Sequence, residues 1–318
     1  MTGNAPTIKR RRLGRTDLHI SEIGLGVWAW GAKRVWGYGK DYGHDDLEMV
    51  WKKAVEQGVN FIDTAMIYGM GESERIVGEM LRQTDEEMII ATKYFPLHLF
   101  SGSIRKAAKR SLDRLGLKEV DLYQVHWPNP MMSLRGTMRE MEGLVKEGKV
   151  RHIGVSNFNI KQLEAARSYL SREDVVSNQI HYSLIHRKPE TDGMIHHASK
   201  EGVTVLAYSP IAQGILTGKY NPGNRPGGLR RVTPMFRKKN LRQVAPLLKV
   251  LGEVGADHDR TMAQTALAWL LKDPNVVVIP GAKRPRQLEE NLGARDLKLG
   301  PGDLERLENA YKTHVPGW

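Results

Sequence analysis

The stretch Phe61-Ile62-Asp63-Thr64-Ala65 reads as one short buried strand that ends on a carboxylate. Outward from it the same unit recurs in both directions. Candidate strands run from Ile23 to Gly26, Asn60 to Thr64, Met88 to Lys93 and Val120 to His126. Four more run from Ile153 to Ser156, Val176 to Gln179, Val203 to Tyr208 and Val276 to Pro280. Amphipathic segments lie between them, several behind start signals: Asp45-Asp46 before Leu47, Ser103 before Ile104, Asn159 before Ile160, Thr261 before Met262. Lys109 to Leu115 reads as such a helix, stopped by Gly116. Each strand and helix together take roughly 30 to 40 residues, the length of a βα unit. Eight in succession predict an α/β fold, a (β/α)8 TIM barrel, as a single domain over residues 1–318. The alternative is a doubly wound open sheet. Against it, no G-x-G-x-x-G follows the first strand.

Two segments fall outside the repeat. Arg10 to Ile20, with Gly14-Arg15-Thr16-Asp17 at its centre, predicts an N-terminal β-hairpin closing the barrel's bottom. Asn221 to Asn240 carries Pro222-Gly223, Pro226-Gly227-Gly228, Arg230-Arg231 and Arg237-Lys238-Lys239, and reads as a mobile loop after the seventh strand. Long loops in compact domains are often functional, so a lid is one reading of it.

Composition narrows the function classes. Of 318 residues 40% are hydrophobic and 26% charged, an ordinary globular balance. The longest apolar runs, such as Val276-Val277-Val278-Ile279, fall far short of the ~20 residues that cross a bilayer. No apolar stretch follows Lys9-Arg10-Arg11-Arg12, so no secretory signal is expected and a cytoplasmic chain is. The absence of cysteine excludes disulfides, thiolate nucleophiles and zinc–thiolate sites. No metal site is expected elsewhere, since the adjacent His196-His197 point in different directions on a helix. The net charge of +12 favours anionic ligands. Nucleic acid is not expected among them, because aromatics are sparse in the basic runs and no helix-turn-helix spacing occurs.

In a barrel of this kind, chemistry sits at the C-terminal ends of the strands. Asp63, Lys93 and His126 end three consecutive candidate strands, and Tyr68 follows Asp63 by five residues. This set matches what reduction of a carbonyl demands, a proton delivered to oxygen as negative charge builds there. A phenol titrating near ~10 is a weak donor at neutral pH. Lys93 is expected to lower that value, Asp63 to keep the lysine charged, and His126 to hydrogen-bond the carbonyl oxygen.

With these residues in place, the sequence resembles the aldo-keto reductase family over nearly its whole length. The motifs that carry the resemblance are Gly58 to Gly69, continued by Gly71-Glu72-Ser73-Glu74, then Ala91-Thr92-Lys93, Val125-His126-Trp127, Gly154-Val155-Ser156-Asn157-Phe158 and Ile279-Pro280-Gly281-Ala282-Lys283. The resemblance implies reversible reduction of aldehydes and ketones with NADPH, and its four catalytic residues fall on Asp63, Tyr68, Lys93 and His126. It implies that Ser156, Asn157 and Gln179 bind the nicotinamide carboxamide and that Tyr208 stacks on the ring. Ser209, Ile211, Gly214, Leu216 and Lys219 would wrap the pyrophosphate. The cofactor-binding segment would begin at Gly281, with Lys283 and Arg284 meeting the 2′-phosphate at a helix start near Pro285 and Gln287, Glu290 and Asn291 at the adenosine end.

The tail ends at Trp318 soon after Asn291, short for the C-terminal loop that shapes substrate pockets in some members. Substrate contacts are therefore expected from Trp28, Trp30, Tyr94 and Trp127, with Leu97 nearby, an apolar mouth suited to small-molecule carbonyls with a hydrophobic part. The same family holds barrel subunits that bind nicotinamide cofactor and regulate ion channels, so a sensing role with little turnover is the rival expectation. Neither the oligomeric state nor the physiological substrate is indicated.

Overall fold

A computed structural model describes residues 8–96 and 103–315. Leu97 and the last three residues, Pro316 to Trp318, lie outside this set. The chain opens with a hairpin of β1 (Arg10–Arg12) and β2 (His19–Ser21), paired antiparallel. Next come β3 (Leu25–Gly26), α1 (Lys33–Trp36), α2 (His44–Glu56), β4 (Phe61–Asp63) and α3 (Glu72–Leu81). The repeat continues through β5 (Ile89–Tyr94), α4 (Ser103–Leu115), β6 (Val120–Val125), α5 (Leu134–Lys146), β7 (Val150–Ser156), α6 (Ile160–Ser168) and β8 (Val175–His181). It closes with α7 (Lys188–Thr191), α8 (Met194–Glu201), β9 (Thr204–Tyr208), α9 (Lys238–Asp257), α10 (Met262–Leu271), β10 (Val276–Ile279), α11 (Pro285–Leu292) and α12 (Pro301–His314).

Strands β3 to β10 form one eight-stranded parallel sheet in sequential order. Isolated parallel bridges Ile23 to Val278 and Gly26 to Gly281 join its two edges. The sheet is thereby closed into the barrel, with helices outside, and the open doubly wound alternative is ruled out.

The period of two along each strand sorts the barrel interior into layers. Phe61, Ile89, Ala91, Leu122, Leu206 and Val277 fill its lower part, and Leu13, Leu18 and Ile20 of the hairpin pack onto them as a plug. Gly14 lets the hairpin sit this close: its φ is +56°, and a Cβ there would stand 2.7 Å from the Val176 carbonyl oxygen. Part of the N-terminal basic run belongs to this closure. Arg11 pairs with Glu22 at 2.9 Å and donates to the carbonyl oxygens of Leu271, Asp273 and Val276, tying the bottom of β10 to the hairpin.

Above the apolar layers the inward positions turn polar. Asp63, Lys93, Gln124, Ser156 and Gln179 are all buried there. Gly154 makes room in this layer, for a Cβ would come within 2.6 Å of Ser177 Oγ and 2.8 Å of Gln124 Cγ.

Residues 221–240 differ from the irregular loop expected of them. They hold short 3-10 turns at Gly228–Val232 and Pro234–Phe236, and α9 already begins at Lys238. Phe236 is fully buried and Arg230 nearly so. The glycines and prolines that marked the segment as a loop shape a strap, which apolar and cation–π contacts fasten to α1 through Arg230 over Trp36.

The plug generates a prediction. Leu13→Ala opens a cavity where hairpin and barrel meet and lowers unfolding free energy by about 2 to 5 kcal/mol in chemical denaturation. A loss under about 1 kcal/mol would show that the hairpin does not close the core.

Candidate active site

The four candidate catalytic residues converge at the C-terminal mouth of the barrel. Lys93 Nζ donates to Asp63 Oδ2 at 2.7 Å and to the Thr64 carbonyl at 2.7 Å, and it lies 3.4 Å from the Tyr68 hydroxyl. All three ammonium hydrogens thus have a defined direction. Two side-chain amides hold the other carboxylate oxygen: Gln179 Nε2 donates to Asp63 Oδ1 at 2.8 Å, and Gln124 Nε2 reaches it at 3.4 Å. The His126 ring stands edge-on to Tyr68 with centroids 5.8 Å apart, and the Trp28 ring is 6.3 Å from Tyr68.

Burial sets the protonation states. It pushes the Tyr68 phenol well above its ordinary value, with the Asp63 charge adding to the rise. This reverses the direction expected from Lys93, because desolvation of a phenolate and the adjacent carboxylate together outweigh the ammonium. Tyr68 is protonated at neutral pH. Burial depresses Lys93 while Asp63 opposes that effect. Burial also lowers His126 to about 3, Lys93 contributing, so the imidazole is uncharged.

Asp63, Tyr68 and His126 open onto a cleft of about 1210 Å³ that runs across the mouth. Lys93 lies beneath its floor, fully buried. Ser156, Asn157, Gln179 and Tyr208 line the cleft beside Asp63, Tyr68 and His126. Ser156 Oγ donates to the Gln179 carbonyl at 2.8 Å, Asn157 Nδ2 to the His126 carbonyl at 3.2 Å, and the Tyr208 hydroxyl to Asn157 Oδ1 at 3.0 Å. Asn157 holds this position with φ +62°, in the left-handed region.

Farther along the same cleft are Ser209, Ile211, Gly214 and Lys219, then Gly281, Lys283, Gln287, Glu290 and Asn291. Two residues expected with them are placed elsewhere. The Leu216 side chain is buried in the core, and Arg284 points away to pair with Asp46 at 2.7 Å and the Asp41 carbonyl.

The aromatic mouth divides likewise. Trp28 and Trp127 line the cleft, joined by Ile67 and Met70. Trp30 and Tyr94 do not reach it. Both pack into the core outside the barrel, Trp30 donating its indole N–H to the Ala282 carbonyl at 3.0 Å and the Tyr94 hydroxyl lying 3.9 Å from Met132 Sδ. Tyr94 is turned outward by the period of two in β5, where it follows the inward Lys93, and Trp30 by the turn after β3, closed by its N–H on the Val27 carbonyl.

Two residues of the site were not anticipated. Gln124 stands two places before His126 in β6, at an inward position of the period-two pattern after the apolar Leu122, and that placement was the available signal. Arg230 was visible only as part of a basic run. Its guanidinium lies over Trp36, Phe236 and Tyr220 at 4.3, 5.1 and 5.5 Å, donates to the Gln213 carbonyl at 2.6 Å, and leaves a buried Nε without a partner. Arg230 and Lys219 both depress Lys283, behind burial as the main cause. The far end of the cleft thus gathers three cations, an arrangement suited to a polyanion.

The profile of the Aldo/keto reductase family matches residues 22–312. The chain belongs to that family. An uncharacterized oxidoreductase of Mycobacterium tuberculosis is 42% identical over 297 residues, covering 93% of this chain and 91% of the relative. The chloroplastic pyridoxal reductase of Arabidopsis thaliana is 34% identical over 312 residues, 93% of this chain and 84% of its own length. Among solved structures, the glycerol dehydrogenase of Gluconobacter oxydans superposes with a TM-score of 0.88 at 29% identity, covering 98% of this chain and 97% of that one. An aldo-keto reductase of Klebsiella pneumoniae in complex with NADPH gives 0.79 at 26% identity, covering 98% and 96%. The matches make this family member an oxidoreductase. Among the described residues, no helix is long and apolar enough to cross a membrane.

Because the His126 value is lowered, the neutral form persists from alkaline pH down through the mildly acidic range, so an NMR titration finds the imidazole uncharged at about pH 5. A midpoint near the unperturbed ~6.5 would show that the ring is solvated.

Proposed function

We propose that this chain reduces aldehydes or ketones to alcohols with NADPH, Tyr68 delivering the proton. The contact of Lys93 with Asp63, Thr64 and Tyr68 at the cleft floor carries the reading, for it gives a buried phenol one partner that stabilises its anion. Bound with its nicotinamide beside Tyr208, NADPH supplies the hydride.

The residues of the chain perform the rest. Trp28, Trp127, Ile67 and Met70 receive the apolar part of the substrate and displace water from the mouth. The carbonyl oxygen accepts from the Tyr68 hydroxyl and from the uncharged His126 ring, which together fix its angle. As negative charge gathers on that oxygen, the Tyr68 proton transfers to it. The phenolate left behind is stabilised by Lys93, whose own charge is balanced by Asp63. Gln124 and Gln179 hold that carboxylate, so the Lys93–Asp63 pair needs no reorganisation during the step.

The cofactor fits the charge of the cleft. Lys219, Arg230 and Lys283 supply cations, Gly214 and Gly281 let backbone approach closely, and the partnerless Nε of Arg230 supplies a buried donor without an acceptor. The strap at residues 221–240 acts as the lid of this end. Lys283 meets the 2′-phosphate, and Arg284, engaged with Asp46, contributes less than its sequence position implied. On this reading the chain acts as a single barrel domain.

NADPH oxidation followed by absorbance over an aldehyde panel tests the reading. Tyr68→Phe lowers kcat by about 10²- to 10⁴-fold while NADPH still binds. Near-normal turnover in that variant would refute Tyr68 as the donor, and binding without turnover in wild type would favour the sensing role.

The pH dependence follows from the raised phenol. Reduction needs the protonated form, present below the raised value, so its rate is level across the neutral range to roughly pH 9, whereas alcohol oxidation needs the anion and climbs with pH. A reduction rate that falls between roughly pH 6 and 8 contradicts this assignment.

Cofactor choice is a separate measurement. Lys283→Ala weakens NADPH about tenfold or more relative to NADH, and Arg284→Ala changes that ratio less than about threefold. The opposite order would return the phosphate contact to Arg284.

A further inference from the structure

The Tyr208 ring is constrained at two places. At its outer end the hydroxyl is tied to Asn157, as described above. On its face lies the imidazole of His181, centroids 5.2 Å apart and planes 10° apart. Parallel rings at that distance cannot lie side by side in one plane, so the two overlap with an offset. His181 is backed in turn by His186 at 3.9 Å and 15°.

The backing ring is itself anchored. His186 and Ser183 form an isolated bridge, with backbone hydrogen bonds of 3.1 and 3.2 Å between them, just beyond the end of β8. Nothing polar fixes His181 through its Nε2, which is buried without a hydrogen-bond partner. Its plane is set by the rings on either side. Burial holds both imidazoles below their ordinary value, so two uncharged rings face each other at 3.9 Å without repulsion. Tyr208 and His181 both border the cleft, beside Ser156, Asn157 and Gln179.

We infer that His181, backed by His186, is a positioning residue that sets the plane of the Tyr208 ring, and through it the affinity of the cleft for the nicotinamide end of the cofactor. The inference rests on the reading of Tyr208 as the nicotinamide platform. It assigns the histidines no contact with the reacting atoms. Their effect passes through the ring in front of them, which the hydroxyl bond alone leaves free to tilt about its long axis.

The test is a set of fluorescence titrations of NADPH, NADP+ and 2′-phospho-ADP-ribose, which lacks nicotinamide, against wild type, His181→Leu, His181→Phe and His186→Ala. His181→Leu is expected to raise Kd for both complete cofactors about tenfold and to leave the fragment within about twofold of wild type. His181→Phe, which restores a flat ring, is expected to bind within about twofold of wild type. His186→Ala removes only the outer ring and keeps the test available where His181→Leu fails to fold; a rise of about two- to fivefold is expected. Unchanged cofactor affinity in His181→Leu and His186→Ala overturns the inference. So does equal weakening of the fragment, or a His181→Phe as weak as His181→Leu. If wild type binds neither NADPH nor NADP+, the underlying reading falls and takes this inference with it.

Discussion

One buried ion pair organises the site. Lys93 is fully buried with its ammonium on Asp63, inside a barrel whose lower layers are hydrocarbon. An unpaired ammonium in such a place is costly enough that it would shed its proton, and the carboxylate would take one up. The pair persists because every remaining valence is used, by Thr64 and Tyr68 on the lysine and by Gln124 and Gln179 on the aspartate. The polar layer above the apolar core follows from that requirement. So does the missing side chain at Gly154, which gives Gln124 its space.

The same pair fixes the states of its neighbours. Tyr68 is held protonated by burial and by the carboxylate, and His126 is held neutral by burial and by the ammonium. A protonated phenol and a neutral imidazole therefore stand edge-on to each other at the cleft. At the other end the balance is inverted. Lys219, Arg230 and Lys283 stand close together, the Asp41 charge opposes their mutual effect on Lys283, and the Asp46 carboxylate is taken by Arg284. The cleft thus presents an uncharged imidazole and a protonated phenol at one end and three cations at the other.

The strap at residues 221–240 belongs to this second end. Its glycines and prolines are ordinary loop signals, but Arg230 and Phe236 bury themselves against Trp36 and Tyr220. A cation enclosed by aromatic rings has no signature in local sequence. It depends on Trp36 of α1, distant along the chain, meeting Tyr220 and Phe236 on one guanidinium.

The barrel and its four-residue centre were legible without coordinates. Eight short apolar runs at regular spacing leave few alternatives, and polar residues at the ends of three consecutive strands must meet once those strands are neighbours in a closed sheet. Chain order and the period of two determine both. What the sequence left open was decided by burial and by partners distant along the chain. Tyr94 faces the core because it follows the inward Lys93 in β5, and Trp30 because the turn after β3, closed by its N–H on the Val27 carbonyl, carries it outside the barrel, while Trp28 and Trp127 face the mouth. Arg284 is drawn off to Asp46, so one of two adjacent cations leaves the cleft. The direction of the Tyr68 shift is likewise a tertiary property, since desolvation depends on how completely the fold encloses the phenol, and residue type carries no record of that.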